Sequence, residues 1–336
     1  MVLLSDTDER ELIVAALTAL GAPVCRADNQ ARWLVEADLR GHHSHGLQRL
    51  PVILRRIRAR LTEPATDGRH EWRSEVLLSV DGERGLGPCV GERAVVALVP
   101  AAWRYGVAVA AIRNANHLGI LAPYTEDLAR QGLIGLAITT SEALVHPWGG
   151  KTALVGTNPI ALAVPTDREP FSLDMATGMV SMGKVLHYQM TGRQLDWGWA
   201  VDADGEPTSD PAAAVKGALS PFGGAKGYGL GLAIELLVGA LTGSALGRAV
   251  TGTLDADTAC NKGDVFIALA PHDDRVMPGL SAYLDTIRGD VRGAVRSGPS
   301  IPGDGARARR MEAHRNGMEF PEKLLGEIRR LSEARI

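Results

Sequence analysis

The chain has 336 residues, 45% of them apolar and 22% charged, enough for a sizeable core and room for two subdomains. Its 36 basic residues are balanced by 39 acidic ones, for a net charge of −3, so no overall field draws it to nucleic acid or to an anionic membrane, and neither is expected as a partner. Cys25, Cys89 and Cys260 are widely spaced and form no C-x-x-C pair, which argues against a disulfide framework or a cysteine zinc site; with an opening MVLLSDTDERE that turns acidic by Asp6 instead of forming a basic leader, a cytoplasmic location is expected.

In chain order, residues 6–20 and 28–39 read as helices split by the Gly21-Ala22-Pro23 breaker. Leu47, Leu50, Ile53, Leu54, Ile57 and Leu61 recur at helical spacing, with Arg55, Arg56, Arg58 and Arg60 on the opposite side and Pro51 suited to the first turn. A polar link over 62–73 leads to strand-like runs at 75–80, 107–113, 133–140, 159–164 and 171–174, separated by helical stretches at 92–105 and 124–131. This alternation predicts α/β layers. Residues 227–247 are almost uncharged and long enough to imitate a membrane span, but Glu235 near the centre predicts a helix buried in a soluble core. Beyond Arg275 the pattern returns to helices and polar loops, with a Gly/Pro-rich connector at 298–310.

Two stretches attract chemical readings. Gly85, Gly87 and Gly91 imitate a dinucleotide fingerprint, yet Asp81 to Arg84 separate them from the strand and no acidic residue closes the next strand, so a glycine turn that opens a helix is the simpler reading. In RGHHSHGLQRLP, residues 40–51, His42, His43 and His45 point in diverging directions on either a helix or a strand. A metal site built on them, and with it a metal-dependent hydrolase, is therefore the weaker alternative. If the chain turns helical at Gly46, Ser44 caps the turn and His45 and Arg49 share a side, setting a proton carrier beside a cation that forks onto carboxylates.

Further on come NANHLG (114–119), PWGGK (147–151), GTNPIALAVPT (156–166), DMATG (174–178) and GGAKGYGL (223–230). In GGAKGYGL a lysine at a helix start forms a natural cradle for an anion. With ADLRGHHSHGLQRLP, GLIGLAITTS, GWAVDADGEPTSDP and IPG, these motifs in this order resemble the malate/L-lactate/ureidoglycolate dehydrogenases, a family of nicotinamide-dependent 2-hydroxyacid oxidoreductases and cyclic-imine reductases distinct from the Rossmann-type enzymes. The resemblance runs from about residue 5 to 330.

The resemblance implies a non-Rossmann α/β fold: a largely antiparallel seven-stranded sheet flanked by helices in a cofactor and substrate region over 73–299, and a helical subdomain built from 1–72 with 300–336. It implies a homodimer that takes NAD or NADP, a small carboxylate substrate and no metal. By the same carry-over, His45 donates the proton, Ser44 is its hydrogen-bonding partner, Arg49 clamps the substrate carboxylate, and His117 is a second acid/base that also approaches the nicotinamide. Gly119, Ser141, Asp174, Met175, Ala176, Lys226, Gly227, Gly303 and Asp304 correspond to cofactor contacts, the last two within the Pro302-Gly303-Asp304 turn. Ile53 and Leu118 stand where relatives often have aromatic residues, which suggests a roomier or more apolar pocket. Asp304 and Thr140 are conservative departures from a glutamate and an asparagine. Lys184 stands where the imine reductases have an aspartate beside the catalytic pair, which favours an oxo acid over an imine. His42, His43 and His146 inherit no role.

Overall fold

A computed structural model of the protein describes residues 1–290 and 298–333; the parts of the 275–336 helical reading and of the subdomain boundaries that fall on 291–297 and 334–336 lie outside the described residues. The chain opens with β1 (Val2–Leu4), α1 (Asp6–Ala19), α2 (Val24–Leu39) and α3 (Leu50–Arg58). Helix α1 is started by a reciprocal box, in which Ser5 Oγ accepts from the Asp8 amide and the Asp8 side chain accepts from the Ser5 amide. Strands and helices then alternate: β2 (Arg69–Trp72), β3 (Leu77–Asp81), α4 (Gly87–Tyr105), β4 (Val107–Arg113), α5 (Ala122–Arg130), β5 (Ile134–Thr139), β6 (Ala143–Val145), β7 (Val155–Gly156), β8 (Ile160–Val164) and β9 (Phe171–Met175). There follow α6 (Met182–Thr191), β10 (Ala200–Val201), β11 (Pro207–Thr208), α7 (Pro211–Lys216), β12 (Ala218–Leu219), α8 (Ala225–Thr242), β13 (Gly263–Leu269), α9 (Met277–Arg288), α10 (Asp304–Asn316), β14 (Met318–Phe320) and α11 (Glu322–Glu333).

The main sheet has seven strands in the order β2-β3-β4-β13-β5-β8-β9. Only β3 and β4 run parallel; the other five pairings are antiparallel. A five-stranded sheet (β11-β10-β12-β6-β7) and the pair β1-β14 lie beside it, neither of which the seven-strand expectation contained. Strand β13 is absent from the strand-like runs of the sequence although it sits between β4 and β5. Helices α4 and α5 cover one face, where Leu98, Leu118, Tyr124, Leu128 and Phe266 meet small residues such as Ala110 and Ala137, so the helices sit close to the strands. A second core joins the two ends of the chain, with Ile13, Leu17, Leu47, Leu50 and Leu54 packed against Met318, Phe320, Leu325 and Ile328.

Two contacts fasten this helical cluster to the sheet. Trp33 of α2 stacks on Tyr124 of α5 with centroids 3.8 Å apart. Arg40 forks onto Glu126 at 2.7 and 2.8 Å, and Ser172 of β9 donates to the same carboxylate at 2.7 Å.

Helix α8 corrects the expectation of a buried core helix over 227–247. By length and composition it would pass for a membrane span, yet only a third of it is buried. Ile234 and Val238 pack on the sheet beside Ile138 and Val265, while Leu236, Leu237 and Leu241 face outward, 55, 46 and 39% exposed. Glu235 is not a misfit: its carboxylate accepts from Asn158 Nδ2 at 2.8 Å, the Gly156 amide at 3.3 Å and the Gly247 amide, closing three backbone and side-chain donors that the apolar helix would otherwise bury.

Candidate active site

The histidine-rich stretch folds as two single turns of 3-10 helix, His43–His45 and Leu47–Arg49, leading into α3 with Pro51 in its first turn. Ser44 does not cap the second turn, as its spacing suggested. That role falls to Asp38 on α2, 1% exposed, whose Oδ2 accepts from the Leu47 amide at 2.6 Å and whose Oδ1 takes the Nδ1 of His43 at 2.7 Å. Gly46 makes this approach possible, since a Cβ there would lie 1.9 Å from Asp38 Oδ2. Ser44 Oγ instead bonds Nδ1 of His45 at 3.0 Å, leaving Nε2 of that ring for another partner. Gly183 of α6 packs against Ser44 from the other side.

His117 arrives from the loop after β4. The Gly119 amide donates to its Nδ1 at 3.0 Å, so the neutral ring carries its hydrogen on Nε2. The glycines of the imitation fingerprint serve this loop: Gly87 opens α4, and a Cβ on it would lie 2.1 Å from the His117 carbonyl oxygen. The rings of His45 and His117 are 5.3 Å apart. Both histidines, Arg49 and Gly119 line one narrow cavity of about 30 Å³, with Leu34, Val52, Ile53 and Leu86 as its apolar wall.

Burial, with the neighbouring charges of Arg49 and His42, pushes His45 down to about 3. Burial and the Arg49 charge hold His117 well below its ordinary value. Each lines a cavity and keeps part of its surface accessible, yet both rings are neutral near pH 7 in this state. Arg49 is deeply set, and burial pulls its pKa down against the opposing pull of Glu142. Its Nη2 donates to the Thr253 carbonyl, while Glu142 Oε1 is occupied by the amides of Thr253 and Leu254 at 2.7 and 3.1 Å. Among the described residues no carboxylate forms an ion pair with Arg49. A buried guanidinium without a counter-ion is a receptor for an anion.

Several of the other sequence-derived residues lie on or against β9, the edge strand of the main sheet. Asp174, half-buried and raised in pKa by desolvation, accepts from the amides of Leu121 and Ala122 at the start of α5. Gly303 lies against Ser172, and Asp304 pairs with Arg288 and Arg307. Met175 and Ala176 lead to Thr177, whose amide donates to the Thr157 carbonyl; Ser141 Oγ in turn accepts from the Thr157 amide at 2.9 Å. Thr177 also touches Gly231 of α8, one turn beyond Gly227 and Lys226.

Several expectations change. His43 is held by Asp38, His45 by Ser44, and among the described residues no group of three histidine, cysteine or acidic side chains could hold a metal, so the stretch with His42, His43 and His45 gives a metal-dependent hydrolase no support. The Lys184 ammonium sits over the rings of Trp199 and Tyr188, 4.6 and 5.5 Å from their centroids. Ile53 lines the cavity, but Leu118 is a core residue beside Tyr124. Thr140 bonds the backbone of Gly263. Arg56, read from its spacing as part of the polar face of α3, is 4% exposed and lines the cavity. Sequence reading missed it along with Asp38, Asn116, Glu142 and Thr253. The signal for Arg56 was its position seven residues after Arg49, two turns along one helical face.

Known proteins resemble the chain over nearly its whole length. The sequence model of the family described as malate/L-lactate dehydrogenase matches residues 4–329. A dehydrogenase from Sinorhizobium meliloti of known structure superposes with a TM-score of 0.94 at 50% identity over 98% of both chains. The L-sulfolactate dehydrogenase of Methanocaldococcus jannaschii is 36% identical over 335 residues, 98% of this chain and 96% of that one. A (2R)-3-sulfolactate dehydrogenase (NADP(+)) from Chromohalobacter salexigens is 34% identical over 337 residues, 99% of each.

Proposed function

Because this chain belongs to the malate/L-lactate dehydrogenase family, a family of oxidoreductases, we propose that it uses NAD or NADP to interconvert a 2-oxo acid and its 2-hydroxy acid at C2. One observation carries the reading: the guanidinium of Arg49, without a carboxylate counter-ion among the described residues, and the two imidazoles of His45 and His117 converge on one narrow cavity. Arg49 receives the substrate carboxylate, fixing C2. His45, oriented by Ser44, gives the proton to the carbonyl oxygen in reduction and takes it back in oxidation. His117 presents a fixed Nε2–H to the same oxygen. Burial is the larger cause of the lowered affinity of both rings for a proton and the Arg49 charge the second; a carboxylate on Arg49 offsets the second and so favours a proton taken up with the substrate.

The residues present fit a dinucleotide. The first turn of α8 offers Lys226 behind two left-handed glycines, Gly223 and Gly224, which suits phosphate oxygens. Ser141, Met175, Ala176, Gly227, Gly303 and Asp304 would line its path, with Asp174 holding the Leu121–Ala122 turn and Gly119 beside the ring; the bound nicotinamide supplies or accepts the hydride. The outward leucines of α8 support a homodimer. Three free cysteines, Cys25, Cys89 and Cys260, suit a reducing cytoplasm.

The test is a panel of 2-oxo acids and cyclic imines with NADH and with NADPH, on the native protein and on Arg49→Met and His45→Ala. Reduction of an oxo acid, with Arg49→Met raising KM at least about a hundredfold while cofactor affinity holds, is the expected result. Imine reduction alone, or equal loss of substrate and cofactor binding, overturns the reading.

A further inference from the structure

Arg56 lies within α3, seven residues beyond Arg49, and is 4% exposed. Its Nε donates to Asn116 Oδ1 at 2.9 Å, and its Nη1 donates to the carbonyls of Asp255 and Thr258 at 2.8 and 3.0 Å. The Asp255 carboxylate is occupied by the amides of Asp257 and Thr258 at 2.9 and 3.0 Å, and among the described residues no carboxylate forms an ion pair with Arg56. A buried charge without a counter-ion is destabilising, and an apolar side chain of similar length would fill the same space with less penalty. What the guanidinium has and such a side chain lacks is a planar fork, which here fixes three acceptors from two separate segments at once.

Both segments lead to the site. Asn116 immediately precedes His117, and its Nδ2 donates to the carbonyls of Arg84 and Gly85 at 2.7 and 3.0 Å, so this side chain spans from Arg56 to the turn before α4. Asp255 and Thr258 belong to the loop 251–261 that leads into β13. Its two limbs are drawn together by the Thr251 amide, which donates to Asn261 Oδ1 at 2.8 Å, and by Gly252, where a Cβ would lie 2.6 Å from the Ala259 carbonyl oxygen. In the same loop the Thr253 carbonyl accepts from Arg49, while Glu142 takes the Thr253 and Leu254 amides. The loop is therefore held by Glu142 and by Arg56, and through it the placement of Arg56 reaches Arg49.

Building on the proposed hydride chemistry, we propose that Arg56 is a positioning residue: it ties the loop that orients the Arg49 guanidinium to the loop that carries His117, and so fixes the separation between the carboxylate clamp and the imidazole. A substrate held on a loosened Arg49 still binds by its carboxylate, but its C2 oxygen no longer meets the proton carrier. The loss falls on turnover more than on binding.

Arg56→Met keeps the length of the side chain and removes the fork. In reduction of a 2-oxo acid its kcat is expected to fall about 10- to 100-fold, with KM moving only a fewfold. A drop in Tm with native kcat, or a loss confined to KM, refutes the assignment. A brace also acts jointly with its partner: Asn116→Ala should lower kcat by itself and add little to Arg56→Met, whereas losses that multiply show two independent residues and overturn the proposal. Should Arg56→Met fail to fold, Arg56→Lys decides, because an ammonium keeps the charge but cannot span three acceptors in one plane; its kcat must still drop about tenfold, and native turnover refutes the brace. Hydrogen exchange separates this proposal from the hydride reading. In the folded Arg56 variant, peptides covering 114–121 and 251–261 should lose protection together while β5 keeps its own. Reduction of no 2-oxo acid by the native protein brings down the hydride reading and leaves the brace to be decided by exchange, and unchanged exchange in either loop refutes the brace whatever the enzyme reduces.

Discussion

The imidazole rings of His45 and His117 lie 5.3 Å apart, tilted by 39°, and both feel the charge of Arg49. Burial first, and that charge second, keep the rings neutral; a substrate carboxylate on Arg49 offsets the charge and raises their affinity for a proton. Binding of a 2-oxo acid near pH 6.5 should therefore draw up to one proton from solution. Calorimetry in buffers of different ionisation enthalpy measures this directly, and Arg49→Met should abolish it. Binding without uptake in the native protein would mean that neither ring is the acid.

The same shifts make a stability prediction. An unfolded histidine titrates near 6.5, while the folded His45 is held at about 3. As pH falls through 6.5 the unfolded chain binds the proton and the folded one does not. The stability present above pH 6.5 is thus lost toward pH 3 at up to about 1.4 kcal/mol per pH unit for each such ring. Tm of the native protein should decline over this window, and His45→Gln should flatten the decline; parallel curves would show that His45 is protonated in the fold.

Asp38 holds the turns that carry His45 and Arg49 through the Leu47 amide and His43. Asp38→Asn keeps the size but turns one of these contacts into a donor facing a donor or a weakened bond. We expect kcat to fall about 10- to 100-fold, with cofactor affinity unchanged and KM moving less than kcat. Gly46→Ala forces a methyl onto the same carboxylate and should destabilise by about 1–3 kcal/mol, read as a drop in Tm. A Gly46→Ala protein of native stability would refute the close approach.

The break between α1 and α2 and the nearness of His45 to Arg49 were legible because their signals are local: Gly21-Ala22-Pro23 interrupts the helical pattern, and His45 and Arg49 sit four residues apart. Strand β13 was not, since both its faces are covered and the alternation that marks a half-exposed strand is missing from GDVFIAL; its partners β4 and β5 lie more than 100 residues earlier. Asp38 was hidden by the same logic. Its spacing places it on a helix, and only the tertiary approach of Gly46 gives it a task. Arg56 was misread because three further arginines at 55, 58 and 60 made a solvated face the simplest account of the pattern.

Behind Asp38, Glu9 of α1 is fully buried and neither carboxyl oxygen has a hydrogen-bond partner. Burial, and then the nearby Asp38, push its pKa up to about 10, so Glu9 stays protonated at neutral pH. A group raised in this way contributes stability below the unfolded value of about 4.5, and that contribution drains as pH rises toward the folded value. Glu9→Gln, uncharged at every pH, should therefore raise Tm by little at pH 5 and by progressively more toward pH 8. A gain independent of pH would indicate a packing effect instead.

The outward face of α8 carries Leu230, Leu236, Leu237 and Leu241 among the exposed small residues Gly229, Ala233 and Ala240. Past Lys226 it has no charge, because the helix's one other charged residue, Glu235, points into the protein. An apolar stripe running about 27 Å along an 18-residue helix is a liability in water unless covered, and a second copy packed across a two-fold axis meets it with the same leucines and the same small residues, which let the helices approach closely. Sedimentation at micromolar concentration should give twice the chain mass. Leu237→Glu sets a carboxylate opposite its own symmetry mate and should yield a monomer with unchanged far-ultraviolet circular dichroism, whereas a native protein that sediments as a monomer, or a Leu237→Glu protein that still pairs, would move the contact to another surface.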